Sequence, residues 1–400
     1  MSLFDRAELA PADPILGLTE AYNADTRPEK VNLGVGVYLG EDGKLPLMEA
    51  VRAAEERITQ QRRAKAYLGI DGMPAYRDAV RELIFGADSS ALADARVATV
   101  QSLGGTGALK IGADLLRQLS PEATVLISNP SWENHRALFT RAGFDVETYR
   151  YYDAGIKGID FDGMLEDLRA AEPGTVVVLH ACCHNPTGYD LGSEQWDAVI
   201  EVLAERQLIP FLDMAYQGFG FGIEEDGAVV AKFVDSGLNF LLSTSYSKSF
   251  SLYGERIGSL SVVLDSAESA KKVLSQLKIV IRTNYSNPPT EGAALVTTVL
   301  TDPDLRQSWE DELGAMRERI KDLRKGLVDG LASRGITDMG FIAEQLGMFS
   351  YSGLTKEQMV ALRTEHGVYG LDSGRMCVAA LNTGNLDYVA DAIAAVRASA

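Results

Sequence analysis

Short apolar runs that end in polar residues recur along the middle of the chain, with helical stretches between several of them. They are TVLISN (Thr124 to Asn129), TVVVLHA (Thr175 to Ala181), LIPFLD (Leu208 to Asp213) and NFLLSTS (Asn239 to Ser245). Runs of this length are typical of strands buried on both faces, and the intervening helices favour parallel pairing. The pattern predicts an α/β fold with a mostly parallel sheet that is covered by helices on both faces.

The polar residues at or just after these strand ends mark one edge of the predicted sheet. They are Asn129, His184, Asp213 and Lys248. Parallel strands present their carboxyl ends at the same edge, and ligands of open α/β sheets bind in the crevice outside those ends. We therefore expect these side chains to lie close together and to form a binding site.

Lys248 is the most informative of these residues because of the loop around it, STSYSKSFSLYGERIGS. Burial just past a strand favours the neutral amine of lysine, which suits a nucleophile or a Schiff base, although most loop lysines are simply solvated. One interpretation is a serine acyl-enzyme, since Ser245 and Lys248 match S-x-x-K, but the chain lacks the K-T-G strand of that class. The other is a Schiff base with pyridoxal phosphate, whose phosphate Ser245 and Arg256 would bind.

Charge and composition exclude several classes of partner. The chain has 400 residues, of which 46% are apolar and 24% charged, and its formal net charge is −18. Such an acidic chain without a lysine/arginine run disfavours nucleic acid and anionic membranes as partners. Its 3 cysteines, two of them adjacent, cannot form a disulfide framework. Because the N-terminus also lacks a basic and apolar targeting segment, we expect a cytoplasmic protein with room for two domains.

Two further motifs suggest a nucleotide or a metal, but their spacing favours neither. SLGGTGALKIGADLL sets a glycine cluster just before an amphipathic helix, where free N–H groups attract a phosphate, yet it departs from G-x-G-x-x-G. HACCHNPTG holds two histidines and two cysteines. Strand alternation would point Cys182 and Cys183 to opposite faces, and Pro186 excludes a helix that pairs both histidines. We expect packed cysteines and hydrogen-bonded histidines here.

From Asp304 onward, apolar residues recur every three or four positions. The set is Trp309, Leu313, Met316, Ile320, Leu323, Leu327 and Leu331. This period is that of one helix face, and the run predicts a helix of about thirty residues, longer than most helices of globular proteins. We expect this helix to lead from a large domain into a smaller C-terminal one.

Several segments together resemble one enzyme family. In chain order they are GGTGAL, NPSWENH, CCHNPTG, DMAYQGFG, SYSKSFSLYGERIG, RTNYSNPP and SGRMCVAALN. They are similar to the fold-type I aminotransferases, specifically the aspartate and aromatic amino acid aminotransferases, and the resemblance covers nearly the whole chain. It implies the PLP-transferase fold type I: an N-terminal arm at 1–13, a large domain that binds pyridoxal phosphate (PLP) at 46–313, and a smaller α/β domain made of 14–45 and 314–400.

The resemblance implies a role around PLP for each matched residue. Lys248 would carry the cofactor and then move the proton at the substrate Cα, while Asp213, supported by His135, would pair with the pyridine nitrogen. The residues that would contact the ring are Asn185, Tyr216 and Trp132, and those that would bind the phosphate are Gly105, Thr106, Ser245, Arg256 and, from the neighbouring subunit, Tyr67.

The substrate side of the resemblance rests on two arginines. Arg375 would bind the substrate α-carboxylate with help from Asn185. Trp132 would also contact the substrate. Arg282 of the neighbouring subunit would bind the distal carboxylate of aspartate or glutamate. Gly36 would lie where the backbone runs close to the substrate. The active site would therefore need a homodimer, and the reaction would transfer an amino group to 2-oxoglutarate.

Other functions on the same fold stay open. A PLP lyase or decarboxylase would keep Lys248 and Asp213 but break another bond at Cα; Arg282 favours a transaminase instead. A relative that only binds ligand would be expected to lack the lysine or the aspartate, and this chain has both. We therefore expect an active aminotransferase.

The preferred amino donor is a separate question. Leu39, Leu45 and Ala66 are apolar where aspartate specialists of the family tend to carry polar side chains, whereas Thr106 and Asn287 are of the aspartate type. Burial of a phenyl ring and a charge-assisted hydrogen bond to a distal carboxylate each contribute about 1.5–3 kcal/mol. We expect activity with phenylalanine and tyrosine as well as aspartate, with a strict aspartate aminotransferase as the alternative.

Overall fold

The computed structural model describes residues 2–9 and 16–399. By their internal contacts these residues form two compact units. The larger unit consists of Leu45–Ile320 and Gln345–Gly347, and the smaller unit of the described residues up to Lys44, of Lys321–Glu344 and of the described residues from Met348 onward. Part of the predicted N-terminal arm, 1–13, lies outside the described residues.

Strands and helices are numbered in chain order within the described residues. The strands are β1 (Val31–Asn32), β2 (Val97–Leu103), β3 (Thr124–Asn129), β4 (Asp145–Arg150), β5 (Tyr152–Asp153), β6 (Gly158–Ile159), β7 (Val176–His180), β8 (Ile209–Met214), β9 (Phe240–Ser245), β10 (Ile257–Val263), β11 (Phe349–Tyr351), β12 (Val368–Tyr369) and β13 (Arg375–Cys377). The α-helices are α1 (Leu16–Ala24), α2 (Glu49–Gln60), α3 (Pro74–Phe85), α4 (Ser90–Ala93), α5 (Gly104–Leu119), α6 (Glu133–Arg141), α7 (Phe161–Ala170), α8 (Ser193–Glu205), α9 (Ile223–Ser236), α10 (Ala267–Asn284), α11 (Glu291–Thr301), α12 (Pro303–Ser333), α13 (Lys356–His366) and α14 (Leu386–Ala398).

The larger unit is built on a 7-stranded sheet with the strand order β2-β10-β9-β8-β7-β3-β4. All of its neighbouring strands pair in parallel except β10, which is antiparallel to both β2 and β9. The predicted mostly parallel α/β sheet is therefore confirmed. The sequence pattern had identified four of the seven strands. It missed β10, which lies inside the sheet, and the two edge strands β2 and β4.

Both faces of this sheet are buried, as the unbroken apolar runs predict. In β7, Val176 and Val178 pack into a core cluster with residues of α5 and α10. Successive strand residues point to opposite faces, and the alternate residues Val177 and Leu179 are also fully buried. Helix α5 lies so close to the sheet that a Cβ at Gly112 would be 2.4 Å from Cζ of Phe211.

Strand register brings three polar residues to one edge of the sheet. His180 of β7 lies opposite Asp213 of β8, which in turn lies opposite Ser243 of β9. Lys248 follows β9 in a turn, just past the strand end, as predicted. The edge at the carboxyl ends of these parallel strands therefore holds an acid, an imidazole and an amine.

The smaller unit holds two short sheets, a parallel pair of β1 and β12 and an antiparallel pair of β11 and β13. Helix α12 confirms the long helix predicted from the apolar spacing: it spans 31 residues, and it contributes residues to both units. Among the described residues, none of the helices has the length and hydropathy needed to cross a membrane.

Candidate active site

A cavity opens at the carboxyl edge of the large sheet. The residues that line it are Gly105, Thr106, Leu109, Trp132, His180, Asn185, Asp213, Ala215, Tyr216, Ser245, Ser247, Lys248 and Arg256. They come from the ends of β7, β8 and β9, from the first two turns of α5, and from the loops that follow the strands. Distant stretches of sequence meet here because parallel strands all end at this edge.

Asp213 is a buried carboxylate in which one oxygen is hydrogen-bonded and the other has no hydrogen-bond partner among the described residues. Its Oδ2 lies 3.0 Å from Nε2 of His135, whose Nδ1 lies 2.9 Å from the hydroxyl of Ser131. Its Oδ1 is also buried and has no hydrogen-bond partner among the described residues. Burial acts to raise the pKa of Asp213, but the hydrogen bond and charge of His135, with the charges of His180 and Lys248, lower it overall. A carboxylate with a free oxygen thus faces the cavity.

Two more imidazoles pack behind this carboxylate. The His180 ring lies 5.0 Å from that of His135 and 4.2 Å from that of His184, between ring centroids. Burial, then the charge of His135, lowers the pKa of His180 to about 3, and burial also lowers that of His184. Near neutral pH both rings are therefore uncharged.

The expectation that these histidines are hydrogen-bonded is correct for one and wrong for the other. His184 lies 2.9 Å from the hydroxyl of Ser128 and 2.8 Å from that of Thr187. Neither ring nitrogen of His180 has a hydrogen-bond partner among the described residues. The reason is its position: His180 ends β7 and lines the cavity, and its ring packs against the rings of His135 and His184 instead of against a hydroxyl.

Lys248 is half-buried among the lining residues. Its Nζ lies 5.0 Å from the ring centroid of Tyr216. The amide of Asn185 donates to the Tyr216 hydroxyl at 3.4 Å, and both of these side chains are buried. An amine, a phenol and an amide thus surround the same space as the free oxygen of Asp213.

The opposite end of the cavity is suited to an anion. Helix α5 begins at Gly104, so the glycines predicted to precede this helix instead form its first turn, where N–H groups lack helical partners. Arg256 lies beside this turn and donates to the Leu103 carbonyl and to the Ser247 hydroxyl. It forms no salt bridge with any described residue. Helix dipole and guanidinium together offer a site for a phosphate.

Glycine is required at the start of α5 by geometry. Gly104 has φ +67, and a Cβ there would lie 2.6 Å from Nη2 of Arg256. A Cβ at Gly105 would lie 3.1 Å from Cβ of Ser245. These close approaches place Arg256 and Ser245 beside the helix N-terminus, so that an anion bound there would contact both side chains.

The adjacent cysteines correct one step of the sequence argument. Their sulfur atoms and a carboxylate oxygen of Asp226 all lie within 4.8 Å of one another, so Cys182 and Cys183 do not point to opposite faces. Strand β7 ends at His180, and strand alternation does not extend to them. A hydrogen bond with Cys182 and burial raise the pKa of Cys183 well above its usual range. Both side chains are buried, protonated thiols, so the expected packing holds for a different reason.

Of the predicted substrate residues, Trp132 and Asn185 line this cavity, whereas Gly36, Arg282 and Arg375 do not, and neither does Tyr67, which was predicted to bind the phosphate. Arg375, in the smaller unit, is buried, donates to the Gly34 carbonyl at 2.7 Å and lies 4.4 Å over the Phe349 ring. A Cβ at Gly36 would lie 2.7 Å from Cζ of Phe349, so this ring requires the glycine. In the larger unit Arg282 is exposed near the end of α10, and Tyr67 is 93% exposed.

The sequence identified most of the lining residues and missed a few. Those it predicted are Gly105, Thr106, Trp132, Asn185, Asp213, Tyr216, Ser245, Lys248 and Arg256. His180, Ser247, Leu109 and Ala215 also line the cavity. The signal for His180 was present in its position at the end of an apolar strand, which is the same signal that identified Asp213.

Known proteins are similar to this chain over nearly its full length. An aspartate aminotransferase of Pseudomonas aeruginosa is 57% identical, with 99% of this chain and 100% of the relative covered. An aromatic-amino-acid aminotransferase of Escherichia coli is 50% identical, with coverage of 98% and 100%. The solved structure of an aromatic-amino-acid aminotransferase from Burkholderia pseudomallei, covalently bound to pyridoxal phosphate, superposes with a TM-score of 0.97 at 62% identity and coverage of 99% and 100%.

The chain also matches the sequence profile of one protein family. The profile described as Aminotransferase class I and II matches residues 28–393. The resemblance inferred from the motifs is thereby confirmed. The chain belongs to the class I and II aminotransferases.

Proposed function

We propose that this chain binds pyridoxal phosphate and transfers amino groups between aromatic amino acids or aspartate and 2-oxoglutarate. The observation that carries the proposal is a buried carboxylate oxygen, Oδ1 of Asp213, that has no partner among the described residues and shares a cavity with Lys248. A buried acceptor without a donor is unfavourable in itself. A ligand that carries a protonated ring nitrogen would supply that donor.

The chemistry of the lining residues fits PLP at three points. Asp213 fits the ring nitrogen, and Lys248 Nζ is an amine that can bond to an aldehyde. The first turn of α5 with Ser245 and Arg256 fits a phosphate. Trp132 offers an aromatic face for the ring, and Asn185 with Tyr216 can donate to its phenolate oxygen. Acid, amine and anion site thus lie around one cavity.

The cofactor, when bound, supplies an electron sink for negative charge at the substrate Cα. Asp213 keeps its charge at working pH because its pKa is lowered. It would thereby hold a proton on the ring nitrogen of the bound cofactor. Lys248 Nζ removes the proton from the substrate Cα and returns a proton when the amino group has moved. Tyr216 and Asn185 orient the reacting groups through their hydroxyl and amide.

Substrate carboxylates are assigned to the two predicted arginines. Arg375 is held by the Gly34 carbonyl and the Phe349 ring, which fixes its guanidinium for a bidentate carboxylate pair. Arg282 and Tyr67 are exposed, which fits residues that serve the site of a neighbouring subunit in a homodimer. Asn287 donates to the Leu68 carbonyl at 3.1 Å and so ties the Tyr67 loop to the segment that follows Arg282.

The shared site has a direct test. Arg282→Ala and Arg375→Ala variants, each inactive with aspartate, are unfolded and refolded together. If the two arginines serve one site from different subunits, each mixed dimer has one intact site. Random pairing makes about half of the dimers mixed, so the mixture regains about a quarter of the parent activity at best. Dimers that form without any recovered activity would mean that both arginines serve the site of a single chain.

The breadth of substrate rests on the names of the relatives and on apolar residues of this chain. The P. aeruginosa relative is named for aspartate, and the E. coli and B. pseudomallei relatives for aromatic amino acids. Leu39, Leu45 and Ala66 give the chain an apolar set that suits an aromatic ring. The second candidate function is that of a strict aspartate aminotransferase, because a relative of 57% identity is named for aspartate.

The test of breadth compares kcat/KM for aspartate, phenylalanine and tyrosine with 2-oxoglutarate as acceptor. The parent is compared with a triple variant, Leu39→Lys, Leu45→Thr and Ala66→Asn. We expect comparable activity on both classes in the parent and a shift toward aspartate in the variant. Aromatic activity about a thousandfold below aspartate in the parent would favour the strict enzyme.

Domain organisation and location complete the proposal. The predicted domains, 46–313 and 14–45 with 314–400, are supported by two compact units whose boundaries fall nearby, at Leu45 and in α12 at Ile320. A cytoplasmic location is supported by three buried cysteines that are all free thiols.

A further inference from the structure

One face of α12 contacts the two loops that carry the proposed catalytic residues. Trp309, Leu313 and Arg317 are four residues apart, so they lie on one face of the helix. All three belong to the larger unit, as do both loops. None of the three lines the cofactor cavity in the described part of the chain.

Trp309 holds the loop of Lys248 by two kinds of contact. Its indole N–H donates to the carbonyl of Ser249, the residue after Lys248, at 2.7 Å. Its ring stacks on that of Phe250 with centroids 4.5 Å apart and an interplanar angle of 19°. Both rings are fully buried, with Trp309 1% and Phe250 0% exposed. The side chain of Trp309 therefore holds the backbone just after Lys248 in place, through one hydrogen bond and one ring contact.

The rest of this loop is anchored within itself and to a neighbouring segment. The N–H of Ser251 donates to the Lys248 carbonyl at 3.0 Å, and the Ser251 hydroxyl donates to the Pro46 carbonyl at 2.8 Å. The Phe250 ring also meets the Tyr246 ring edge to face, with centroids 5.7 Å apart. Because Ser249 is held by α12, a change at Trp309 acts on the backbone that carries the Lys248 amine.

Leu313 and Arg317 hold the loop after Tyr216 in the same way. Arg317 Nη1 donates to the Gly218 carbonyl at 3.0 Å. Gly218 has φ +94, and a Cβ there would lie 2.4 Å from Cδ2 of Leu313, so the loop passes directly over the helix. The Phe219 N–H closes a turn onto the Tyr216 carbonyl at 3.0 Å. One rigid helix face thereby fixes the spacing between the loops of Lys248 and Tyr216.

We propose that Trp309 is a positioning residue for Lys248. We also propose that the helix face of Trp309, Leu313 and Arg317 keeps the distance between Lys248 and Tyr216 constant. This inference rests on the proposed function, because it concerns the geometry of the amine that moves the proton. Proton transfer is sensitive to displacements of an ångström or less, whereas substrate carboxylates are bound by other residues. Loss of the Trp309 contact therefore lowers kcat and leaves KM nearly unchanged.

The test uses the holoenzyme and the conservative variant Trp309→Phe, which keeps a ring against Phe250, removes the N–H to Ser249 and reduces the buried ring volume. Its matched control is Trp196→Phe in α8: Trp196 is also buried and packs on Phe233, with centroids 6.1 Å apart. The control loses the same ring volume without that N–H contact. The readouts are kcat and KM for aspartate, the visible circular dichroism of the bound cofactor, and Tm. The dichroism reports how Lys248 holds the cofactor, which a general loss of stability leaves unchanged.

We expect both variants to lower Tm, but only Trp309→Phe to lower kcat, by about tenfold, with KM within about twofold and an altered dichroism band. If Trp309→Phe does not fold, Arg317→Met removes the contact to Gly218 at a partly buried position. We expect this variant also to lower kcat while KM stays nearly unchanged. A parent without a cofactor band refutes the proposed function, and this inference with it. A parent with the band, and a folded variant that matches the control in kcat and dichroism, refutes this inference alone.

Discussion

Replacement of Gly104 with alanine tests the anion end of the cavity. Gly104 has φ +67, and the added Cβ would lie 2.6 Å from Nη2 and 3.0 Å from Cζ of Arg256. An alanine in this left-handed conformation costs about 1–2 kcal/mol of stability. The collision has a second effect, because the exposed guanidinium can swing away and leave the phosphate site.

The loss of cofactor affinity follows from the contacts that Arg256 would make. A hydrogen bond between charged groups contributes about 1.5–3 kcal/mol. Loss of one such bond to the phosphate raises the Kd for PLP by about 10- to 150-fold, since each 1.4 kcal/mol is a factor of about ten. The helix N-terminus and Ser245 stay in place, so we expect weakened binding and not its complete loss.

Gly237 supplies the matched control. It also has a left-handed backbone, with φ +75, but a Cβ there would meet nothing within 4 Å. Gly237→Ala therefore loses a similar amount of stability through its backbone conformation and does not touch Arg256. The assay is titration of each apoenzyme with PLP, followed by absorbance, together with urea unfolding. Equal Kd values for the two variants would refute the assignment of Arg256 to the phosphate.

Three further predictions concern buried groups of the protein. Asp213→Asn keeps the shape of the side chain and removes its charge, so kcat should fall roughly a hundredfold or more, as measured by steady-state kinetics; activity near that of the parent would contradict its role. The folded pKa of His180, about 3, lies below its ordinary value of 6.5, so the unfolded chain binds the extra proton, and stability present above pH 6.5 is lost as the pH falls toward 3. At pH 5 the loss from this residue is about 2 kcal/mol; urea unfolding of His180→Asn at pH 7.5 and 5 should show a weaker pH dependence than the parent, and an equal dependence would contradict the buried neutral ring. Burial raises the pKa of Cys377 to about 11, and Cys182 and Cys183 are buried too; a thiol reagent should therefore modify none of them in the native protein and all three after unfolding, and rapid native labelling would contradict this.

Local patterns in the sequence predicted four of the seven strands of the large sheet, β3, β7, β8 and β9, and much of the site. Unbroken apolar runs gave the buried parallel strands, and the polar residues at their ends, such as Asp213 and Lys248, lie at one edge because parallel strands share a direction. The three- to four-residue spacing predicted α12. These signals depend on neighbours in sequence, which is why they can be seen without a structure.

The features that the sequence did not reveal depend on contacts between distant residues. The antiparallel strand β10 lies between β2 and β9, a placement that its own composition does not determine. Cys183 and Cys182 lie on the same side because β7 ends before them, and strand alternation was extended too far. Trp309 was recognised only as one member of a helix face, since its bond to Ser249 links positions 60 residues apart.

Lys248 is the residue that we propose to carry the cofactor in this cavity. The most direct measurement is borohydride reduction of the protein with bound PLP, followed by digestion and mass spectrometry to find the modified lysine. We predict a single pyridoxyl adduct on the peptide that contains Lys248, and none in Lys248→Ala, whose visible absorbance should also be lost. An adduct on another lysine, or an unmodified Lys248 in a protein that still transaminates, would contradict the account.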